Sequence, residues 1–229
     1  MLIRTNFAAV GCAFLLAATA VVLGPTAPAQ AAGSCSLIVP ATLAVSRPYQ
    51  AVILKLSADC AARQSGGWAA WDAYHPTKGY QEMAFFNGTT QEYWDIYDYG
   101  TPLGVWTWRA SSCYDGNSDL CLQNSPRTTI KAGSQLGLTG TRAGSYRTLS
   151  VATAYYSPAA SVYRMWGNER VQLQYKTCAT CTWMYLRNVY TASNGRATYR
   201  TYSAHLRYYR AVSAANSSIW GRTSAVILR

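Results

Sequence analysis

Alternation of apolar and polar residues with a period of two constrains this chain more than any other feature. Val52, Leu54, Leu56, Ala58 and Cys60 share one parity, while Lys55, Ser57 and Asp59 take the other. Val171, Leu173 and Tyr175 alternate in the same way with Gln172, Gln174 and Lys176. Successive side chains of a strand point to opposite faces, so each pattern reads as a half-buried β-strand. Comparable runs cover Trp68–His75, Glu82–Phe86, Tyr93–Tyr99, Val105–Trp108, Thr128–Lys131, Leu136–Arg142, Tyr146–Tyr156, Trp183–Thr191, Arg196–Tyr202, Arg207–Ala214 and Ser224–Arg229. Asn87-Gly88 and Asn194-Gly195 separate β-prone runs and are predicted to form type I′ hairpins. A loop is expected up to Asn168, and no long amphipathic helix is read anywhere. Closely spaced short strands of this kind predict an all-β chain of two tandem β-sandwich domains.

The N-terminus has a different grammar. Arg4 precedes an uncharged apolar run, Phe7–Leu23, and Ala29-Gln30-Ala31 follows a Pro/Ala-rich stretch. This is the three-part pattern of a secretory signal peptide, with cleavage expected after Ala31. An uncleaved anchor is the rival reading, but the run is at the short limit for a bilayer span. Cys12 lies inside it and is read as part of the signal. No other stretch is long and apolar enough to span a membrane. The expected location is therefore secreted and extracellular, with domains at 32–131 and 132–229.

Six cysteines remain in the mature part: Cys35, Cys60, Cys113, Cys121, Cys178 and Cys181. An even number in an exported chain implies disulfides, and six allow fifteen pairings. Spacing suggests Cys35–Cys60, Cys113–Cys121 and Cys178–Cys181. The Cys178-Ala-Thr-Cys181 motif lies between two strands, which favours a local disulfide over redox or zinc chemistry.

Charge divides the chain unevenly. Residues 32–131 carry 7 basic and 8 acidic side chains, whereas residues 132–229 carry 12 basic and 1 acidic. The second half therefore attracts polyanions. Outside a cell these are anionic cell-wall polymer or acidic polysaccharide; nucleic acid is a less natural partner for an exported chain, and no motif specifies a protein partner. Arg196, Arg200, Arg207 and Arg210, interleaved with tyrosines, are the candidate polyanion-binding residues. Tyr93, Asp95, Tyr97 and Tyr99 share one strand face, with Trp94 and Ile96 on the other. The outward Tyr/Asp row is the candidate carbohydrate-binding face, because rings stack on sugars and carboxylates bond hydroxyls. Trp106 and Trp108 share a second face, with core packing the alternative. Asp115, Asn117 and Asp119 space oxygen ligands two apart, a calcium-like pattern without the distal Glu of an EF-hand; no metal site and no cofactor are assigned. His75 and His205 are the only histidines, and no Gly-x-Ser-x-Gly elbow occurs. Asp72, Glu82, Glu92, Asp95 and Asp98 are the carboxylates from which a glycosidase pair would come. The chain is read as a non-enzymatic binding or structural module associated with the cell envelope, with carbohydrate binding as the alternative.

The stretch Thr128–Arg229 resembles the immunoglobulin-like modules of secreted actinobacterial proteins. The residues that carry the resemblance are Val171–Lys176, Trp183, Leu186–Val189, Thr191–Ala197, Tyr209–Ala211 and Ser224–Val226. The first half, with Trp71-Asp72-Ala73, Phe85–Gly88 and Pro102–Trp108, is similar to a more divergent companion. The resemblance implies a spacer, adhesin or binding domain. Ala211 stands where the late cysteine of an antibody domain would be, so that disulfide is absent. Tyr209 is expected as a tyrosine corner, its hydroxyl bonding back to the chain.

Overall fold

A computed structural model describes residues 33–117 and 120–229; the expected signal peptide and Asp119 lie outside the described residues. The strands of the first half are β1 (Ser34–Cys35), β2 (Leu37–Ile38), β3 (Thr42–Val45), β4 (Tyr49–Leu56), β5 (Trp68–His75), β6 (Gly79–Asn87), β7 (Gln91–Tyr97), β8 (Gly104–Tyr114), β9 (Leu122–Gln123) and β10 (Arg127–Ala132). A three-stranded sheet, β2-β4-β7, lies against a five-stranded one, β3-β10-β8-β5-β6. The pairs β1–β9 and β3–β10 are parallel. Inward rows from both sheets fill the core: Leu54, Trp94 and Ile96 from one, Trp71, Phe86 and Trp108 from the other. Trp94 meets Trp108 edge-on at 5.0 Å between ring centroids. Such a T-shaped contact places a positive ring edge against a negative face.

The second half holds β11 (Ser134–Ala143), β12 (Tyr146–Ser157), β13 (Val162–Met165), β14 (Arg170–Lys176), β15 (Met184–Tyr190), β16 (Arg196–Tyr202), β17 (Tyr208–Ser213), β18 (Arg222–Thr223) and β19 (Ile227–Leu228). One sheet joins β11 to β12, with β13 and β16 also on β12; the other runs β15-β14-β17, with β18 and β19 on β17. Leu136, Leu138, Leu149 and Val151 face Val171, Leu173, Tyr209 and Ala211 across the interior. Each half places its first, second and fifth principal strands in one sheet and its third, fourth, sixth and seventh in the other. This Greek-key order is that of an immunoglobulin-like sandwich. The first half also carries the buried Trp of the third strand, Trp71, whose Nε1 donates to the Asn124 carbonyl at 2.9 Å.

Both expected type I′ hairpins are overturned. Gly88 and Gly195 have φ of 68° and 70°, but neither Asn87 nor Asn194 has positive φ, and type I′ requires it at both positions. The flanking strands are not partners either: β6 and β7 belong to different sheets, as do β15 and β16. Both Asn-Gly pairs mark the step from one sheet to the other. Asn194 instead accepts a hydrogen bond from the Arg196 N–H at 3.1 Å, an Asx turn. The expected loop before Asn168 contains β13, and of the expected final strand, Ser224–Arg229, only Ile227–Leu228 forms β19; Ser224 instead follows β18, its Oγ accepting from the Ala211 N–H. Tyr209 is buried, but its hydroxyl has no partner, so it is not a tyrosine corner. Its parity turns it into an apolar interior.

The three disulfides join Cys35 to Cys60, Cys113 to Cys121 and Cys178 to Cys181, as the spacing suggests. Cys60 sits on the core side, within reach of Cys35. Among the described residues no helix is long and apolar enough to cross a membrane.

Trp71 fills the centre of the first core and is fully buried. Trp71→Ala is expected to destabilise the chain by about 3–5 kcal/mol, read as a lower urea midpoint. A change below about 1 kcal/mol would show that another residue holds the two sheets together.

Candidate binding surfaces

The sheets divide at Gly133, and the backbone crosses from β10 to β11 through that residue alone. Its N–H donates to the Val45 carbonyl and its carbonyl accepts from the Tyr156 N–H, both at 2.8 Å. A Cβ there would lie 3.0 Å from that of Ser46 and 3.3 Å from the Val45 oxygen, so the crossing is tight against the Val45–Ser46 segment. Trp220 Nε1 reaches back to the Leu43 carbonyl at 2.7 Å. Lys131 lies over the Trp220 ring at 4.7 Å. At the centre, the Tyr156 hydroxyl donates to Asp98 Oδ2 at 2.6 Å, and both residues are buried. That donation, with a further one from Ser161, holds the Asp98 carboxyl below its ordinary range. Burial first, and then the Asp98 carboxylate, pushes the Tyr156 phenol up to about 12. Sequence reading names Asp98 only as a carboxylate; its partner is 58 positions away and leaves no local signal.

Of the candidate carbohydrate face, Tyr93, Asp95 and Tyr97 share the outward row of β7, which ends at Tyr97, so that Tyr99 lies in the turn that follows and not on the expected strand. Tyr93, Asp95, Tyr97 and Tyr99 are exposed, whereas Trp94 and Ile96 are buried. Tyr49 completes the face from β4, directly opposite Tyr97, with ring centroids 5.2 Å apart. Tyr97 and Tyr99 lie 5.6 Å apart. The Tyr49 hydroxyl donates to Asp95 Oδ1 at 2.9 Å, and this raises the Tyr49 pKa above the usual phenol range. Beside this face a depression of about 170 Å³ is lined by Tyr97, Tyr99, Asp95 and Glu82, with Trp94 and Trp106 at its base. The structure thus brings Asp95 and Glu82 to one hollow. Trp106 and Trp108 are 2% and 0% exposed and pack in the core, Trp106 also flooring that hollow.

The four candidate arginines are not one patch. Arg196 and Arg200 lie on β16, exposed on the outer side of its sheet. Arg210 lies on β17, where Tyr209 and Ala211 point inward, so it faces out from the opposite sheet. Arg207 precedes β17, with its guanidinium 4.6 Å from the Tyr175 ring centroid and its Nε buried. Strand parity and the change of sheet put Arg210 on the opposite side of the sandwich from Arg196 and Arg200, whereas Arg207 shares the inward parity of Tyr209 and lies against the core residue Tyr175. The proximity of these residues in sequence hides this separation.

Five of the twelve cations of the second half, Lys176, Arg187, Arg200, Arg207 and Arg210, lie over aromatic rings. Arg200 is 4.1 Å from the Tyr146 ring, and Arg210 and Lys176 are 4.3 and 5.0 Å from that of Trp183. Its one acidic residue, Glu169, is partly buried; burial raises its pKa and neighbouring Arg170 opposes the rise. Arg147 is fully buried and adds nothing to the surface. His75 is also buried, its ring held between the Leu103 carbonyl and Thr77, as a structural histidine would be. Asp115 accepts from the Asn117 N–H at 2.8 Å, while Asp119 of the calcium-like loop is outside the described residues.

No protein-family model and no curated protein matches the chain. Among solved structures, the human OSCAR ligand-binding domain is 10% identical, covering 87% of this chain and 100% of its own, with a TM-score of 0.30. Chicken CNTN1 FN1–FN3 domains are 11% identical, covering 87% and 68%, with a TM-score of 0.32. The D00–D0 domain of intimin is 15% identical, covering 85% and 98%, with a TM-score of 0.26. At these scores nothing is transferred, and the fold stands on its own strand pairing.

The Asp98–Tyr156 contact stabilises the fold only while the carboxyl is ionised and the phenol is protonated. A lowered Asp98 pKa contributes stability above the ordinary carboxylate value, and this is lost as pH falls through the folded value. A raised Tyr156 pKa contributes below about pH 10, and this is lost as pH rises toward 12. Tyr156→Phe should lower the thermal midpoint at neutral pH and converge with the parent at both extremes. A pH-independent difference between the two would contradict this role.

Proposed function

We propose that this chain is a secreted, non-catalytic binding module, held to the cell envelope by its basic second sandwich. The observation that carries the reading is the charge inventory: 12 basic residues against the single carboxylate Glu169 in residues 132–229. Twelve cations facing one carboxylate repel one another, and an external polyanion relieves that repulsion while releasing its own counterions. Stacking on rings presents the guanidinium groups without neutralising them. Disulfides suit an oxidising compartment. The resemblance to immunoglobulin-like modules of secreted actinobacterial proteins points the same way. The ligand class is anionic wall polymer or polysaccharide.

A second reading rests on the Tyr49–Asp95–Tyr97–Tyr99 face, whose exposed rings and adjoining hollow suit a neutral sugar. Hydrogen bonds and stacking would carry that binding, so it would resist salt.

The test is retention of the full chain on purified cell wall and on neutral insoluble polysaccharide, at low ionic strength and at about 1 M salt, where screening acts within about 3 Å. Wall binding at low salt that disappears at high salt is expected. Salt-resistant binding to the neutral polysaccharide, lost in Tyr97→Ala, would overturn the electrostatic reading in favour of the second. Retention on neither support would overturn both.

A further inference from the structure

The outer face of the β15-β14-β17 sheet joins cations, a row of amides and a hollow on one surface. Val171 and Leu173 are buried, so Arg170, Gln172, Gln174 and Lys176 point outward from β14. Pairing sets Gln174 between Arg210 and Tyr185, and Gln172 between Val212 and Asn188. The side chains are linked: Arg210 Nε donates to Gln174 Oε1 at 2.7 Å, and Gln174 Nε2 donates to Gln172 Oε1 at 2.9 Å. Arg210 and Lys176 flank the half-buried Trp183 ring at one end. At the other end a depression of about 160 Å³ is lined by Arg170, Gln172, Asn188, Val212 and Ala214.

We infer that this face is a binding site for an acidic polysaccharide chain, a claim that rests on the polyanion reading above and assigns it a place. The argument is chemical. Cations stand at both ends, with Arg210 level with Gln174 and Arg170 four residues further along the strand, about 13 Å away. Between them lies a row of amides. An amide both donates and accepts, and so does a sugar hydroxyl. A polyphosphate chain offers acceptors only and cannot use the lone pair that each glutamine carbonyl keeps beyond its internal bond. The Trp183 ring lies beneath Arg210 and Lys176 and holds both cations at one end of the row. The opposite sheet has Arg196 and Arg200, but they pair with Ala152 and Thr148 on β12, with Thr198 and Ser150 between them, and this row holds no amides.

The test measures binding of the full chain to polygalacturonate and to inorganic polyphosphate at low salt. Gln172→Ala/Gln174→Ala leaves the charge unchanged, so its effect separates a built site from attraction at a distance. It should weaken polygalacturonate binding by roughly tenfold and leave polyphosphate binding unchanged. Trp183→Ala, which releases Arg210 and Lys176, and Arg196→Ala/Arg200→Ala should each weaken both probes alike. If both probes bind but the amide variant behaves as the parent, or loses both equally, this site is overturned while the electrostatic reading stands. If the parent binds neither probe at low salt, the electrostatic reading falls too, and this site with it.

Discussion

A strand commits alternate side chains to the interior, and in both sandwiches this commitment leaves little freedom. The inward rows of the first half are filled by Trp71, Trp94, Trp106 and Trp108, which are 0–2% exposed. Those of the second are filled by Leu, Val and Ala around Tyr209. Once these rows are fixed, the outward rows are fixed as well, because no residue in a strand can turn without turning its neighbours. The surfaces argued above as binding faces are the complementary rows of the same strands. Tyr93, Asp95 and Tyr97 are displayed because Trp94 and Ile96 are buried. Gln172 and Gln174 are displayed because Val171 and Leu173 are buried.

The junction follows from a second constraint, the one-residue crossing at Gly133. With so short a connection, the end of β12 and the segment around Trp220 are brought against the first sandwich. The Asp98–Tyr156 bond then seals a contact already imposed by the chain. A buried carboxylate left without a donor is costly, so the junction is specific as well as tight.

Much of this was legible in the sequence, and the failures share one cause. Alternation at Val52–Leu56 and Val171–Tyr175 is local and needs no knowledge of partners. The disulfides were legible because each joins neighbours along the chain. Sheet membership is not local. Asn-Gly at 87–88 and 194–195 signals a turn correctly, but whether the next strand pairs with the last or crosses to the other sheet depends on the whole sandwich. The same blindness merged Arg196 and Arg200 with Arg210, although a sheet change lies between them. The Tyr49 partner of Asp95 and the Gln174 partner of Arg210 were hidden likewise, each being supplied by a strand distant in sequence. Only the parity of each strand could have hinted that they would meet.

The central claim is that the second sandwich carries positive charge that the chain itself does not balance. Thermal unfolding of the full chain at low ionic strength, with and without purified anionic wall polymer, tests it most directly. A ligand that binds the folded state raises the midpoint. The account predicts a higher midpoint with polymer and a gain that shrinks as salt is added. A midpoint unmoved by polymer at low salt would contradict it.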